Sequence, residues 1–309
     1  MISNEKTIRS LIKNKFQNHG QLNYKSELNC IPLKQYGNSY VFKSFNKVRI
    51  SGISGKLLVR TGSQLQIADE LANANLIKKP DGYYLKVTAY INKENYKQIE
   101  SNGKEIGLDF GIKTNITTSE GEKLDVYVEE SDRLKKLQRE LFRKVKGSNN
   151  RYKTIKKIKR EYQKLSNKKQ DKANKIVSKL KRYETIVIQD EQISNWHRTY
   201  GRTVQHSCMG LIKSKLKQLS QTIVLDKWIP TTKWCPKCGR LHDMSTDVRT
   251  YVCECGYHED RDVHSANNMI AIKDLILTNI SVPMERRELT LEEFKTAVED
   301  SNVFNKSER

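Results

Sequence analysis

The rhythm of apolar and polar positions changes several times along the chain, and each change predicts a different kind of element. Residues 1–40 are polar, basic and weakly patterned, with one short helix predicted around Thr7 to Phe16. From about Ser39 to Asn95 the texture turns to β-branched and aromatic runs broken by Gly and Asn: Tyr40-Val41-Phe42, Val48-Arg49-Ile50, Lys56 to Arg60 and Tyr83 to Val87. Pro80-Asp81-Gly82 is a turn with a mechanism, since Pro presets one dihedral and Gly accepts a positive φ. These runs predict a small, barrel-like antiparallel β unit. A second β segment opens at Ile106-Gly107-Leu108-Asp109-Phe110-Gly111-Ile112, passes through Asn115 to Thr118, and resumes after Gly121 at Leu124 to Val128. The period then switches to that of a helix. Leu134, Leu137 and Leu141 share a face, as do Ile155, Ile158, Tyr162 and Leu165, then Ile176, Val177 and Leu180, with a break at Gly147-Ser148-Asn149-Asn150. That is a helical hairpin over 131–182. Further on, a strand at Thr185 to Ile188 ends in Gln189-Asp190-Glu191. After it come a helix from about Val204 to Ser220, a strand at Thr222 to Leu225, and a helix from Asp262 to Leu277. The tail from Thr278 is polar, with a short helical stretch at Leu291 to Val298. Trp196 and Tyr200 read as core packing before base stacking, and Gln205-His206-Ser207 reads as a helix opening in which His206 caps or packs.

Charge changes the picture. The 309 residues hold 57 Lys and Arg against 36 Asp and Glu, a formal net of +21. The hairpin alone holds 21 Lys and Arg against 4 Asp and Glu, so +17 of that excess sits on it. Like charges at this density repel unless a polyanion neutralises them, and each neutralised phosphate releases counterions, so DNA or RNA is the expected partner. No apolar run approaches the ~18 residues of a membrane span, and Met1 to Lys13 lacks the apolar core of a signal peptide, so a cytosolic location and no membrane partner are expected. No phosphate-cradling glycine loop is present, which argues against nucleotide hydrolysis.

Four of the six cysteines crowd into Cys235-Pro236-Lys237-Cys238-Gly239 and Cys253-Glu254-Cys255-Gly256. Paired thiolates at this spacing suit a closed, structural, tetrahedral Zn²⁺ site. His242 and His258 are the alternative ligands, and Cys30 and Cys208 have no assigned role. Asp109 ends an apolar run, and Asp262 begins a predicted helix within Asp260-Arg261-Asp262-Val263-His264. Singly, such residues are helix or strand-end caps. Together they suggest convergence on Mg²⁺, a hard cation that prefers carboxylate oxygens.

Four stretches carry a resemblance. Gly107-Leu108-Asp109-Phe110-Gly111, Ile188-Gln189-Asp190-Glu191, Thr231-Thr232-Lys233-Trp234-Cys235-Pro236-Lys237-Cys238-Gly239, and Cys255-Gly256-Tyr257 with Asp260-Arg261-Asp262 resemble, in order, the split RuvC motifs and zinc ribbon of the TnpB (OrfB) family of insertion sequences. The resemblance spans about residues 40 to 275. It implies an α+β or α/β chain: an RNase H-like (RuvC) domain split by the basic hairpin and the zinc ribbon, preceded by a small antiparallel wedge-like domain. The implied limits are a short remnant of a recognition region at 1–40, the wedge-like domain at 41–100, and the first RuvC parts at 101–230 with the hairpin 131–182. The ribbon takes 231–258, the last RuvC motif and helix 259–277, and a polar tail 278–309. It further implies Mg²⁺-dependent, RNA-guided DNA cleavage, with a guide RNA from the transposon end and a double-stranded DNA target. The implied ligands are Cys235, Cys238, Cys253 and Cys255 for zinc, and Asp109, an acid of the middle motif and Asp262 for magnesium. In the family that middle acid is a glutamate where this chain has Gln189. Glu191, two residues on and on the same face of a strand, is the expected substitute. His264 stands where the family more often has Asn. The forty residues before the β unit are shorter than the family's recognition region. Two alternatives follow from these departures: a nuclease-deficient RNA-guided repressor, and a transposon remnant that only binds nucleic acid.

Overall fold

A computed structural model describes residues 28–307 apart from 61, 93, 95–98, 113–114, 246 and 283–286, so the helix expected at Thr7 to Phe16 lies outside the described residues. The chain divides into two units, Met1–Asn95 and Tyr96–Arg309.

The first unit is antiparallel β. Its strands are β1 (Cys30–Leu33), β2 (Tyr40–Ser44), β3 (Lys47–Ile50), β4 (Leu57–Leu58), β5 (Glu70–Lys79) and β6 (Gly82–Tyr90), arranged as two three-stranded sheets in the orders β1-β5-β6 and β2-β3-β4. Leu33, Tyr40, Val48, Ile50 and Ala74 form its core. β5 has no strong signal in the sequence because Ala72-Asn73-Ala74-Asn75 carries poor β formers. Eight of its residues are held instead by pairing with β6 across the Pro80-Asp81-Gly82 turn, and Ala74 to Ile77 pair with β1 on the other side. The strand expected at Lys56 to Arg60 shrinks to Leu57–Leu58.

The second unit carries β7 (Glu105–Gly111), β8 (Asn115–Thr118), β9 (Lys123–Leu124), α1 (Asp132–Phe142), α2 (Asn149–Leu180), β10 (Thr185–Gln189), α3 (His197–His206), α4 (Met209–Leu216), β11 (Thr222–Leu225), β12 (Thr250–Val252), β13 (His258–Asp260), α5 (Arg261–Asn279), β14 (Glu288–Leu289) and α6 (Leu291–Ser307). Six strands make one sheet in the order β14-β11-β10-β7-β8-β9. β7, β8 and β9 form an antiparallel meander, whereas β10, β11 and β14 run parallel to β7. Connections therefore leave β7 in opposite directions across the sheet, which makes the β7/β10 boundary a topological switch point.

Alternation along the strands assigns the two faces. Ile106, Leu108, Phe110, Ile186 and Ile188 pack with Ala173, Val177 and Leu180 of α2 and Met209, Ile212 and Leu216 of α4. Val187 and Leu225 pack with Met269, Ile272 and Ile276 of α5 and Phe294 and Ala297 of α6. Gly107 shares the second face and lets α5 come close. A Cβ there would lie 1.9 Å from the backbone oxygen of Ala266. No side-chain rotation relieves such a clash, so Gly107→Ala is expected to cost about 3 kcal/mol, the upper end for overpacking, read as a lowered urea midpoint.

Two expectations need correction. The helix expected from Val204 to Ser220 is two helices. Residues 206–208 leave the helical path to bond an extended segment, with Val128 N–H donating to His206 O and Cys208 N–H to Val126 O. His206 thus closes α3 instead of opening a helix, and it is buried. The segment after Thr278 is not merely a polar tail. β14 adds a parallel edge strand, and Leu289, Phe294 and Ala297 are core residues. Its apolar positions are too sparse to announce this without the facing surface of α5 and Trp234.

Candidate active site and metal centre

The zinc segment needs two tight knuckles and a floor. Gly239 and Gly256 sit at positive φ (70° and 85°), and their N–H groups donate back to the oxygens of Cys235 and Cys253. The hairpin β12–β13 brings the second knuckle against the first, and buried Tyr251 packs beneath. The four sulfurs lie within 4.8 Å of one another, with Cys235–Cys255 at 3.6 Å and Cys238–Cys253 at 3.5 Å. Tetrahedral Zn–S bonds of ~2.3 Å demand sulfur separations of about 3.8 Å, so the donor set fits the ion. His242 does not join this set. Its Nε2 stands 3.0 Å from Cys253 Sγ as a hydrogen-bond partner, and His258 is exposed with its Nδ1 3.4 Å from Gly256 O. Chelating the zinc is expected to unfold 231–258 with loss of stoichiometric metal, read by colorimetric zinc release alongside near-UV circular dichroism.

The expected acids come from three elements. Asp109 is the fifth residue of β7, Glu191 lies two residues past the end of β10, and Asp262 stands in the first turn of α5. Capping of α5 falls to Asp260, whose Oδ1 accepts from the N–H groups of Asp262 (3.0 Å) and Val263 (3.2 Å). Burial, opposed by a hydrogen bond from Ser265 and reinforced by the charge of Asp262, pushes the Asp109 carboxyl up to about 6. Burial, then the charge of Asp109, pushes Glu191 up to about 8. Asp109 thus feels both other acids. Among the described residues the cysteines form the only donor cluster of three or more within 4.8 Å, so the three carboxylates stand wider apart than that. Glu191 Oε2 is buried without a hydrogen-bond partner. A buried, unsatisfied carboxylate oxygen facing a second carboxylate is poorly accommodated by protein alone and suits a divalent cation.

Asp190 is turned away from this cluster. It pairs with Lys217 at 2.5 Å and Lys213 at 3.6 Å, and although burial raises its carboxyl, these cations win and hold it below the ordinary range. Lys213, itself buried, donates to the backbone oxygen of Glu191. Gln189 is committed elsewhere. Its Nε2 donates to the oxygens of Asp226 (3.1 Å), Lys227 (3.3 Å) and Ile229 (2.7 Å), and its Oε1 accepts from Thr231 Oγ1 at 3.1 Å. Thr231 Oγ1 is 3.1 Å from Ser265 Oγ, which stands 2.9 Å from Asp109 Oδ1. Asn268, one turn on, donates to the oxygens of Thr231 (2.6 Å) and Trp234 (2.7 Å). α5 therefore grips both the carboxylate cluster and the root of the zinc knuckle. His264 between them is buried and stacked on Tyr251 (3.8 Å, 18°), and burial lowers it to about 4, so it stays neutral.

Ser265, Thr231, Lys213 and Asn268 were not singled out in the sequence, where no periodicity distinguishes them. Of the two aromatic residues noted there, Trp196 packs against the core as expected, whereas Tyr200 is exposed at a kink in α3.

The hairpin is built as a rigid arm. Ser131 and Ser148 cap its helices, Leu134, Leu137 and Ile158 join them, and Arg151 Nη1 donates to the oxygen of Leu141 at 2.8 Å. Each of its four acids is paired with a hairpin lysine: Asp132 with Lys135, Glu140 with Lys144, Glu161 with Lys164, Asp171 with Lys175. The net of +17 already subtracts these four, and Asp125 and Glu122, outside the hairpin, pair with two of its remaining lysines, Lys172 and Lys179.

Residues 87–199 match the family described as OrfB_IS605, "Probable transposase", and residues 209–269 match the Cas12f1-like TNB domain. Two curated relatives are similar. One, from Streptomyces pristinaespiralis, is named "Putative RNA-guided DNA endonuclease" and is 33% identical over 178 residues, 54% of this chain and 44% of its own. The other, "Putative RNA-guided DNA endonuclease InsQ" of Escherichia coli (strain K12), is 26% identical over 246 residues, 71% of this chain and 61% of its own. The chain thus spans about half the length of the curated relatives it matches. No described helix is long and apolar enough to cross a membrane.

Proposed function

We propose that the chain, whose residues 87–199 and 209–269 match the OrfB_IS605 and Cas12f1-like TNB models, is a member of the OrfB (TnpB) family and an RNA-guided DNA endonuclease of RNase H-like (RuvC) fold. The observation that carries the reading is the pair Asp109 and Glu191 at the carboxyl ends of neighbouring parallel strands, both raised by burial, Asp109 further by the charge of Asp262 and Glu191 further by that of Asp109. The sheet order, three antiparallel strands continued by parallel ones from the same central strand, supports the RNase H-like assignment. Asp109, Glu191 and Asp262 would hold Mg²⁺, which supplies positive charge against the phosphate oxygens during phosphodiester hydrolysis. Ser265 orients Asp109 by its hydrogen bond, and Lys213 fixes the Glu191 backbone. The zinc ribbon, held by Cys235, Cys238, Cys253 and Cys255, holds residues 231–234 against α5. The basic hairpin supplies the charge that a guide RNA paired to its DNA target requires, recognised by backbone and shape, not by sequence.

Purifying the chain, sequencing the RNA that accompanies it, and incubating the complex with Mg²⁺ and matching double-stranded DNA tests this reading. A defined RNA with a transposon-end sequence and Mg²⁺-dependent cutting at the matched site is the expected result. A defined RNA with binding but no cutting would instead make the chain an RNA-guided repressor, in line with Gln189. Absence of any defined RNA would leave a transposon remnant that binds nucleic acid.

A further inference from the structure

The Gln189 side chain does more than vacate a catalytic position. Its amide donates to three carbonyl oxygens within four residues, Asp226 to Ile229, and so grips the turn that leaves β11 at the same edge of the sheet as Glu191. Asp226 tightens that turn by accepting from the Trp228 N–H at 2.8 Å, and its own N–H donates to Leu289 O. Ile229, the next residue, is buried in the core on the α5 face. Between these anchors stands Trp228, 68% exposed, with Lys227 Nζ 4.8 Å above its ring. Trp196 and Trp234 pack into the two core clusters, so the exposed indole is the exception among the described tryptophans. The turn that carries this solvent-exposed ring is thus held by these five hydrogen bonds, so the ring is presented from a preorganised position.

We infer that Trp228 is a stacking platform for an unpaired nucleobase next to the phosphate that reaches Asp109 and Glu191. β11 lies beside β10 and β10 beside β7, so the turn stands within about two strand spacings of the carboxylates, on the order of 10 Å. A nucleobase is the occupant that suits this chemistry. The indole offers a sequence-tolerant π face, the adjacent Lys227 offers a cation for the attached phosphate, and the chain as a whole is strongly basic. The inference rests on the nucleic-acid reading above and adds to it a residue with a defined task.

The test uses the full chain and a short single-stranded DNA carrying 2-aminopurine, with affinity read by anisotropy at several salt concentrations and stacking read by the probe's emission. Parent and Trp228→Phe are expected to quench the probe and to bind within about threefold of each other. Trp228→Ala is expected to lose the quenching and bind about tenfold more weakly, the loss of one base–aromatic stack, with an unchanged slope of log Kd against log salt. Equal zinc content and melting temperature in the variant establish that the fold is intact, as an exposed residue should permit. Unchanged affinity and emission in Trp228→Ala would overturn the inference while leaving the endonuclease reading in place. So would a loss seen only in self-association by sedimentation, which would make the ring a protein contact. A parent chain that binds no single strand at all would sink both.

Discussion

Glu191→Gln is expected to reduce Mg²⁺-dependent cleavage by about a hundredfold or more and, in the metal-free protein, to raise stability at pH 8 but not at pH 5. Both effects have one cause. The parent carboxylate is buried, carries an oxygen without a partner, and faces Asp109, which together raise it to about 8 from about 4.5. A carboxyl whose folded value exceeds its unfolded value binds more protons folded than unfolded between those two limits. Stability of the metal-free fold therefore falls as pH rises from about 4.5 to about 8. The amide variant lacks that penalty, so the difference between the two melting curves should be near zero at pH 5 and reach at most a few kcal/mol at pH 8. An equal pH dependence in both proteins would show that Glu191 does not titrate in this way. Cleavage retained in the variant would remove Glu191 from the cation site altogether.

The second large effect runs against the motif. Restoring the family's acid by Gln189→Glu is expected to destabilise the protein by about 3 kcal/mol, the cost of a buried charge without a partner, and not to rescue the Glu191→Gln variant. In the parent the Gln189 Nε2 faces three carbonyl oxygens at 2.7–3.3 Å in a position only 5% exposed. A carboxylate there would set oxygen against oxygen with no donor to mediate. A urea midpoint unchanged in Gln189→Glu, or cleavage restored by it in the double variant, would show that residue 189 can turn toward Asp109.

What the sequence made legible divides along physical lines. The knuckles were readable because thiolate chemistry and glycine conformations leave few alternatives at that spacing, and the hairpin because its 3.6-residue period and its charge agree. The buried strands β7 and β10 were readable as short apolar runs, and the position of Asp109 and Glu191 at their ends came with them. β5 was not, because Ala and Asn carry no strand signal and its neighbours β1 and β6 hold it extended. The helix of α6 was expected at Leu291 to Val298, but β14 and the core role of this segment were not, because three buried positions among many polar ones gain meaning only when Trp234 and α5 face them. Ser265 and Thr231 escaped for a further reason. A hydroxyl that orients a carboxylate 156 residues away leaves no local trace.

That late pairing of β14 with β11 has a consequence for biosynthesis. The first unit ends at Asn95 and owns its core, so it can fold while translation continues. The second cannot close until Leu289 and Phe294 have emerged, because they cover Leu225, Trp234 and Ile272. At about 5–20 residues per second, the ribosome leaves Leu225, the first residue of that face, waiting on the order of 3–14 s for Phe294. A basic nascent chain in that interval is surrounded by RNA before its last strand arrives.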